Sequence, residues 1–496
     1  MNRSTVELPL VAVPDGGLPM AAQVAAQLRQ AVADGRLAAG ERLPATRALA
    51  ASLGISRTVV TSAYAQLFAE GWIEGRHGSG TFVVDGAPGT AAGGTAAGGG
   101  WSAGGGPAGG DRPAGAGPAD VAARVDAAAV AADGDDDSPP EPGVIDLRPG
   151  IPWAAGIDQA AWRRAWRQAG HQPPGGLSMP AGFPELRQSV TRYLRRSRGV
   201  RCAADQVVIT RGVAGSLALL AAALLRPGDL VGVEEPGYPA AREIFAARGA
   251  RVVPCRADQD GLVVSELPAG LRMVYTTPAH QYPLGGRLPV PRRQALVAWA
   301  RASGALIVED DYDGEFRYDV APLPALFGLD PDVVIYLGTT SKTLAPGLAT
   351  GWLVASPSLV ARLTQAAGGL GERAAEQSQR AVHLLIASGE LERHIRRMRH
   401  EYARRRAAVV RLVGAAAPGR LLGDTAGMHI VLDLPPPRAT RVVAAARERG
   451  VAVVTLERYF AGPPGRGGLL LGYGGACLDD VVRGCQILAQ VLPATR

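Results

Sequence analysis

The chain is almost without lysine. It holds 52 Lys plus Arg, and Lys342 is the only lysine. Arginine serves for ion pairs, phosphates and nucleic acid, but its guanidinium stays protonated. Only lysine can lose its proton and form a Schiff base with a carbonyl. A chance survivor on the surface is the plainer explanation, so the position needs context. Cysteine is also scarce. Cys202, Cys255, Cys477 and Cys485 are scattered with no CxxC pair, which points to neither a zinc site nor a disulfide framework and fits a reducing cytoplasm. A basic-then-apolar leader and an apolar run of about twenty residues are both missing, so a soluble cytoplasmic protein without a membrane span is expected. With 496 residues, 47% hydrophobic and 20% charged, the composition implies two or more globular domains. The net charge of +7 permits an acidic partner such as DNA.

Residues 1–85 read as one small unit. Val24, Leu28 and Val32 repeat at helical spacing between Pro19 and Asp34. Thr46 is placed to cap a short helix carrying Leu49 and Leu53, and Ser56 to cap a third from Arg57 to about Glu70. Val60, Tyr64, Leu67 and Phe68 form the apolar stripe of that helix, leaving Arg57, Thr58 and Thr61 on the other side. Two strands, Trp72–Glu74 and Thr81–Val84, flank the glycine-rich tip 75–80. Three helices and a hairpin outline a winged helix-turn-helix, an α+β unit whose third helix enters the major groove. Ser56, Arg57 and Thr58 sit at its start, Arg47 is placed for the DNA backbone, and Arg76 with His77 for the minor groove. A small protein-interaction module is the alternative.

Residues 86–142 are Gly, Ala and Pro, with acids from Asp133 to Asp137, and contain too few large apolar side chains to build a core. This segment is expected to be a flexible tether. Residues 143–496 alternate short apolar runs with Ala/Leu/Arg-rich helical stretches. The runs 207–209, 230–233, 273–275, 306–308 and 333–335 predict an α/β domain with a mainly parallel sheet and its ligand at the carboxyl ends of the strands.

The residues just beyond each run share one chemistry. Ile209 leads into Thr210-Arg211-Gly212-Val213-Ala214, a glycine turn opening a helix whose free N–H groups suit a phosphate. Val233 leads to Tyr238, Tyr275 to His280 and Tyr282, Val308 to Glu309-Asp310-Asp311-Tyr312, and Gly338 to Ser341-Lys342. A lysine, a carboxylate, a phenol, an aromatic plate and a helix N-terminus are the parts pyridoxal phosphate requires. Each is weak alone; together with a unique lysine they form a strong set. His280 is either a neighbour of that ring or a structural histidine, and Glu309 is expected in a polar contact outside the site.

At these residues the chain resembles the MocR/GabR-type branch of the GntR regulators, which join a winged helix to a fold-type-I aminotransferase-like domain. The resemblance rests on Arg42-Leu43-Pro44-Ala45-Thr46-Arg47, Arg76-His77-Gly78-Ser79-Gly80, Glu235-Pro236-Gly237-Tyr238, His280-Gln281-Tyr282-Pro283, the run from Glu309 to Tyr318, and Ser341-Lys342-Thr343-Leu344. It implies Lys342 as the Schiff-base residue, Asp310 on the pyridine nitrogen, Tyr312 on the phenolate and Tyr238 against the ring. Ser341 and the turn at Gly212, Val213 and Ala214 would approach the phosphate. Arg47, Ser56, Arg57, Thr58, His77 and Gly78 match positions that touch DNA in GntR-type domains. The resemblance also implies a double-stranded DNA operator, an amine or pyridoxal phosphate effector, a homodimer, and regulation rather than catalysis.

Three departures stand out. Ala349 occupies the place of a phosphate-gripping Arg, Leu470 that of an Arg for an amino acid's carboxylate, and Leu177 that of a phosphate-binding Tyr. Arg211 and Arg466 are candidates to compensate. A working aminotransferase that also binds DNA, and a regulator whose pocket takes another small molecule, therefore remain as alternatives. The run Arg393 to Arg406 predicts a basic helical stripe, read as a solvated surface or as a second patch steering DNA.

Overall fold

The computed structural model describes residues 19–34, 36–76, 80–84, 142–173, 175, 179–319 and 324–495. His77, Gly78, Leu177 and the expected tether up to residue 141 lie outside these residues, as does the side chain of Arg76.

Near the N-terminus, α1 (Met20–Ala33), α2 (Thr46–Leu53) and α3 (Arg57–Glu70) precede β1 (Ile73–Arg76) and β2 (Gly80–Val83), which pair antiparallel from Ile73↔Val83 to Arg76↔Gly80. Gly54, at φ 64°, closes α2 in the left-handed conformation that an L side chain resists. Ser56 then caps α3, its hydroxyl accepting from the Val59 amide at 3.4 Å. Two details differ from expectation. Ala45, not Thr46, is the N-cap of α2, and Thr46 Oγ1 accepts from Arg57 Nε at 3.5 Å instead. Phe68 leaves the apolar stripe and is 53% exposed, because Val60, Tyr64 and Leu67 already fill the face turned to α1 and α2. Val24, Leu28, Leu49, Val60, Leu67 and Ile73 make a separate small core, and Val290 from the far part of the chain is buried among them.

The larger part begins with β3 (Ile145–Asp146), α4 (Gln159–Gly170) and α5 (Pro184–Ser197). Its centre is β4 (Val207–Thr210), α6 (Gly212–Leu224), β5 (Leu230–Glu235), α7 (Pro239–Ala247), β6 (Arg251–Asp258), β7 (Gly261–Leu262), β8 (Leu271–Thr276), α8 (Val290–Ser303), β9 (Leu306–Asp311), β10 (Val334–Thr339) and β11 (Gly351–Val354). These strands form one sheet in the order β4-β11-β10-β9-β8-β5-β6-β7. The five consecutive strands from β10 to β6 are parallel; the apolar runs predict β10, β9, β8 and β5, whereas β6, with Arg251, Arg256 and Asp258, carries no such run. By contrast, β11 runs antiparallel to both β10 and β4. The chain has only residues 340–350 between β10 and β11, too few for a crossover helix, so it must turn straight back.

The C-terminal portion adds α9 (Pro357–Leu370), α10 (Glu376–Ala387), the long α11 (Glu390–Ala416), β12 (Leu421–Leu422), β13 (His429–Asp433), α12 (Pro436–Arg447), β14 (Val451–Ala452), β15 (Val454–Thr455), β16 (Gly468–Gly472) and α13 (Leu478–Ala494). A second sheet runs β12-β13-β16-β15, and β14 pairs with β3. No helix among the described residues is long and apolar enough to cross a membrane.

Candidate functional site

The acidic run at the end of β9 is resolved by strand alternation. Glu309 accepts the backbone amides of Leu326 and Phe327 at 2.7 and 2.8 Å, outside the site. Asp311 pairs with the buried Arg198 and accepts from Tyr336 at 2.7 Å. Asp310 faces the other way. Its Oδ2 accepts the Tyr275 hydroxyl at 2.5 Å, whereas its Oδ1 is buried and has no partner among the described residues. Burial pushes Asp310 up to about 7, against the lowering effect of the Tyr275 bond. In register on the next strand, Leu337 lies opposite Asp310, so the loop after β10 begins at the same end of the sheet.

Lys342 sits on that loop. Its Nζ donates to the Gly150 carbonyl at 2.6 Å. Desolvation holds its pKa below the ordinary lysine value, and the charges of Asp313 and Asp310 oppose this. A lysine so placed is easier to deprotonate, as a nucleophilic amine requires.

A cradle lies at the start of α6. Gly212 opens the helix at φ 71°, and a Cβ there would lie 3.8 Å from Thr339 Oγ1 and 3.9 Å from Ser341 Oγ. Thr339 and Ser341 share a hydroxyl hydrogen bond of 2.9 Å. Two hydroxyls thus stand near Gly212 at the start of α6, where the first amides of a helix lack partners within it. Neither arginine considered as a compensator turns this way. Arg211 grips Glu372 through two nitrogens and is largely exposed, and Arg466 pairs with Asp433. Ala349 is exposed in a left-handed turn at φ 43°.

Rings occupy the remaining side. Tyr312 Oη and His280 Nδ1 are 2.9 Å apart, and His280 Nδ1 also meets Asp313 Oδ2 at 2.9 Å. Tyr282 stands edge-to-face with Tyr238, Tyr312, Tyr459 and His429, at centroid distances of 6.2, 5.6, 5.3 and 5.3 Å. Burial, with His280 alongside, pushes His429 down to about 4. His280, Asp313 and His429 bring ligand atoms within 4.8 Å of one another, but the His280–Asp313 contact and a 3.0 Å contact of His429 Nε2 with the Pro283 carbonyl engage them.

The structure therefore gathers Lys342, Asp310, Tyr312, His280 and Tyr238 at one end of the sheet, with Ser341 and Gly212 beside the helix start. The residues fit pyridoxal phosphate: the unpartnered Asp310 Oδ1 suits a pyridinium N–H, and the Gly212 cradle suits a phosphate. Sequence reasoning gave no role to Tyr275, Asp313, Tyr282 or His429. Tyr275 ends a predicted strand and was legible by the same rule that found Asp310; nothing in the sequence marked His429.

On the N-terminal unit, Arg47, Ser56, Arg57 and Thr58 are all exposed. The basic stripe on α11 is not uniformly a surface. Arg405 is buried, donating to the carbonyls of Tyr473 and Gly474 at 3.3 and 2.8 Å, and His394 is buried too. Arg399 donates to the Glu315 carbonyl at 2.9 Å. These side chains tie α11 to the domain interior because the helix packs along one long face.

Fold and site define a winged-helix protein joined to an aminotransferase-type domain. The profile "Bacterial regulatory proteins, gntR family" matches residues 20–83, and "Aminotransferase class I and II" matches residues 154–467. The chain is 34% identical, over 94% of its length and 95% of the relative's, to the HTH-type pyridoxine biosynthesis transcriptional regulator PdxR of Corynebacterium glutamicum. It is 34% identical, over 94% and 92%, to the probable rhizopine catabolism regulatory protein MocR of Rhizobium meliloti. Among solved structures it resembles the Pyrococcus horikoshii kynurenine aminotransferase in complex with PMP, at 27% identity and TM-score 0.65 over 71% of this chain and 91% of that one. The chain belongs to the MocR-type branch of the GntR family of transcriptional regulators.

Proposed function

We propose that this regulator takes up pyridoxal phosphate on Lys342 and that the occupied site senses an amine or the cofactor itself. The observation that carries the reading is the buried Asp310 Oδ1 without a partner among the described residues, at the same end of the sheet as the sole lysine. Asp310 would hold the ring nitrogen, Tyr312 and His280 the phenolic oxygen, and Tyr238 a ring face. The Gly212–Ala214 amides with Ser341 would hold the phosphate. When bound, the cofactor supplies an aldehyde carbon that an incoming primary amine can take from the lysine. Gly150 O orients Lys342 Nζ, and burial keeps its proton loosely held.

On the DNA side, Ser56, Arg57 and Thr58 at the start of α3 would meet base edges or phosphates, and Arg47 the backbone. A homodimer would present two such heads. A change in the arrangement of the two heads would carry the signal to DNA.

Sustained transamination is the weaker reading. Leu470 is buried in an apolar cluster with Leu284, Val431, Val454, Leu456 and Tyr459, side chains that offer no charge to fix a substrate carboxylate in a reactive pose. The test is the visible absorbance of purified protein with added pyridoxal phosphate, wild type beside Lys342→Ala, followed by borohydride and peptide mass analysis. A band fixed on the Lys342 peptide, missing in the variant, supports the reading. No band at saturating cofactor refutes it.

A further inference from the structure

The walls around Lys342 are unusual in sign. Asp310 and Asp313 are both buried, and their charges act on Lys342. Beside them stand the rings grouped around Tyr282, whose π-faces attract cations and repel carboxylates. Tyr282 also packs on the Leu470 cluster, so the wall behind the rings is hydrocarbon. A carboxylate set against that wall would lose its water without gaining a partner. Two arginines beside the rings are otherwise placed. Arg242 donates to the Tyr459 carbonyl at 2.8 Å and faces Glu235 at 3.5 Å. Arg458 is exposed at the rim, where its charge is felt by Tyr282.

We infer that this site selects amines lacking a carboxylate, with an aryl or alkyl body, and that Leu470 and Asp313 determine this preference. The inference rests on the reading of the Lys342 site as the regulator's ligand site and deepens it. Asp313 favours the ammonium form on arrival, the phenols face it, and the buried Leu470 backs those rings with hydrocarbon, offering an acid no partner. An α-amino acid would bring the same ammonium with a carboxylate that meets acids and hydrocarbon.

The experiment compares matched pairs by calorimetric titration of the full chain: 2-phenylethylamine against phenylalanine, and 1,4-diaminobutane against 4-aminobutyrate. Each is run with and without added pyridoxal phosphate. The amine of each pair is expected to bind at least about tenfold more tightly. Leu470→Arg is expected to narrow or reverse that ratio. Asp313→Asn is expected to weaken the amine more than its acid partner, whose lost ammonium attraction is offset by relief of carboxylate repulsion, which keeps the test decisive if Leu470→Arg fails to fold. Equal or tighter binding of the acid by the wild type overturns the inference, all the more if Arg458→Ala then abolishes it. Failure of both members to bind also overturns it. A missing cofactor band is read separately in the absorbance, and refutes the cofactor reading while the ranking of each pair still stands on its own.

Discussion

Asp310→Asn should make the cofactor-free protein more stable in mild alkali while weakening its hold on the cofactor. The native carboxyl is raised from 3.8 to about 7 by burial. A folded pKa above the unfolded one means that the native state holds the extra proton. Stability is therefore greatest below the unfolded value and falls as pH rises through about 7. A shift of about 3 units corresponds to roughly 4 kcal/mol of penalty once the group is fully ionised. Asparagine removes the charge but points an amide into the place of Oδ1, returning about 1–3 kcal/mol for an unpaired donor. The balance is a gain of about 1–3 kcal/mol at pH 8.5, shrinking to within about 1 kcal/mol of zero at pH 5.5, where only about 2 kcal/mol of the penalty has developed. Thermal midpoints of cofactor-free wild type and variant at the two pH values measure it, with a shift on the order of 2 °C per kcal/mol for a domain of this size. Titration with pyridoxal phosphate should then show weaker binding by the variant, because the ring nitrogen loses its anionic partner. Equal destabilisation at both pH values would refute the reasoning, since Asp310 would then be an ordinary structural acceptor for Tyr275.

Other substitutions probe separate parts. Ala349→Arg should raise pyridoxal phosphate affinity about tenfold if its side chain reaches the cradle at Gly212, a gain of the size expected for one charge-assisted phosphate contact; equilibrium dialysis reads it. Arg57→Ala should weaken duplex DNA binding and lower the slope of log affinity against log salt by about 0.9, read by fluorescence anisotropy across a salt series. Val290→Ser should lower the melting temperature of the winged helix while leaving the absorbance of bound pyridoxal phosphate unchanged.

The central strands β5, β8, β9 and β10 were legible because each carries a continuous apolar run, and the site because its chemistry comes directly after those runs, whereas β6, half exposed with Arg251, Arg256 and Asp258, gave no such signal. Lys342 and Asp310 needed only that rule and the scarcity of lysine. Packing decided the rest. Phe68 has helical spacing with Val60 and Leu67 yet is exposed, since α1 and α2 cover only part of α3. Arg405 looks like one more charge on a basic stripe and is instead bonded to two carbonyls in the interior. Of the rings around Tyr282, Tyr238 and Tyr312 follow apolar runs, but His429 on β13 and Tyr459 come from the C-terminal portion, which no local pattern brings to the site. Antiparallel β11 is a consequence of the shortness of the Lys342 loop, a length that could have been counted beforehand.

Val290 gives the DNA-reading unit a borrowed side chain. It is the first residue of α8, 7% exposed, and lies in the small core with Leu28 and Leu67, while Pro289 and the Val290 backbone nitrogen lie within 3.4 to 3.8 Å of where a Cβ on Gly71 would be. The segment leading into it carries His280, Gln281 and Tyr282. A winged helix excised at residue 85 would thus be missing part of its own interior. Heads exchanged between relatives would inherit a socket shaped for another body's plug, and any reordering of the Tyr282 segment would tug on that plug.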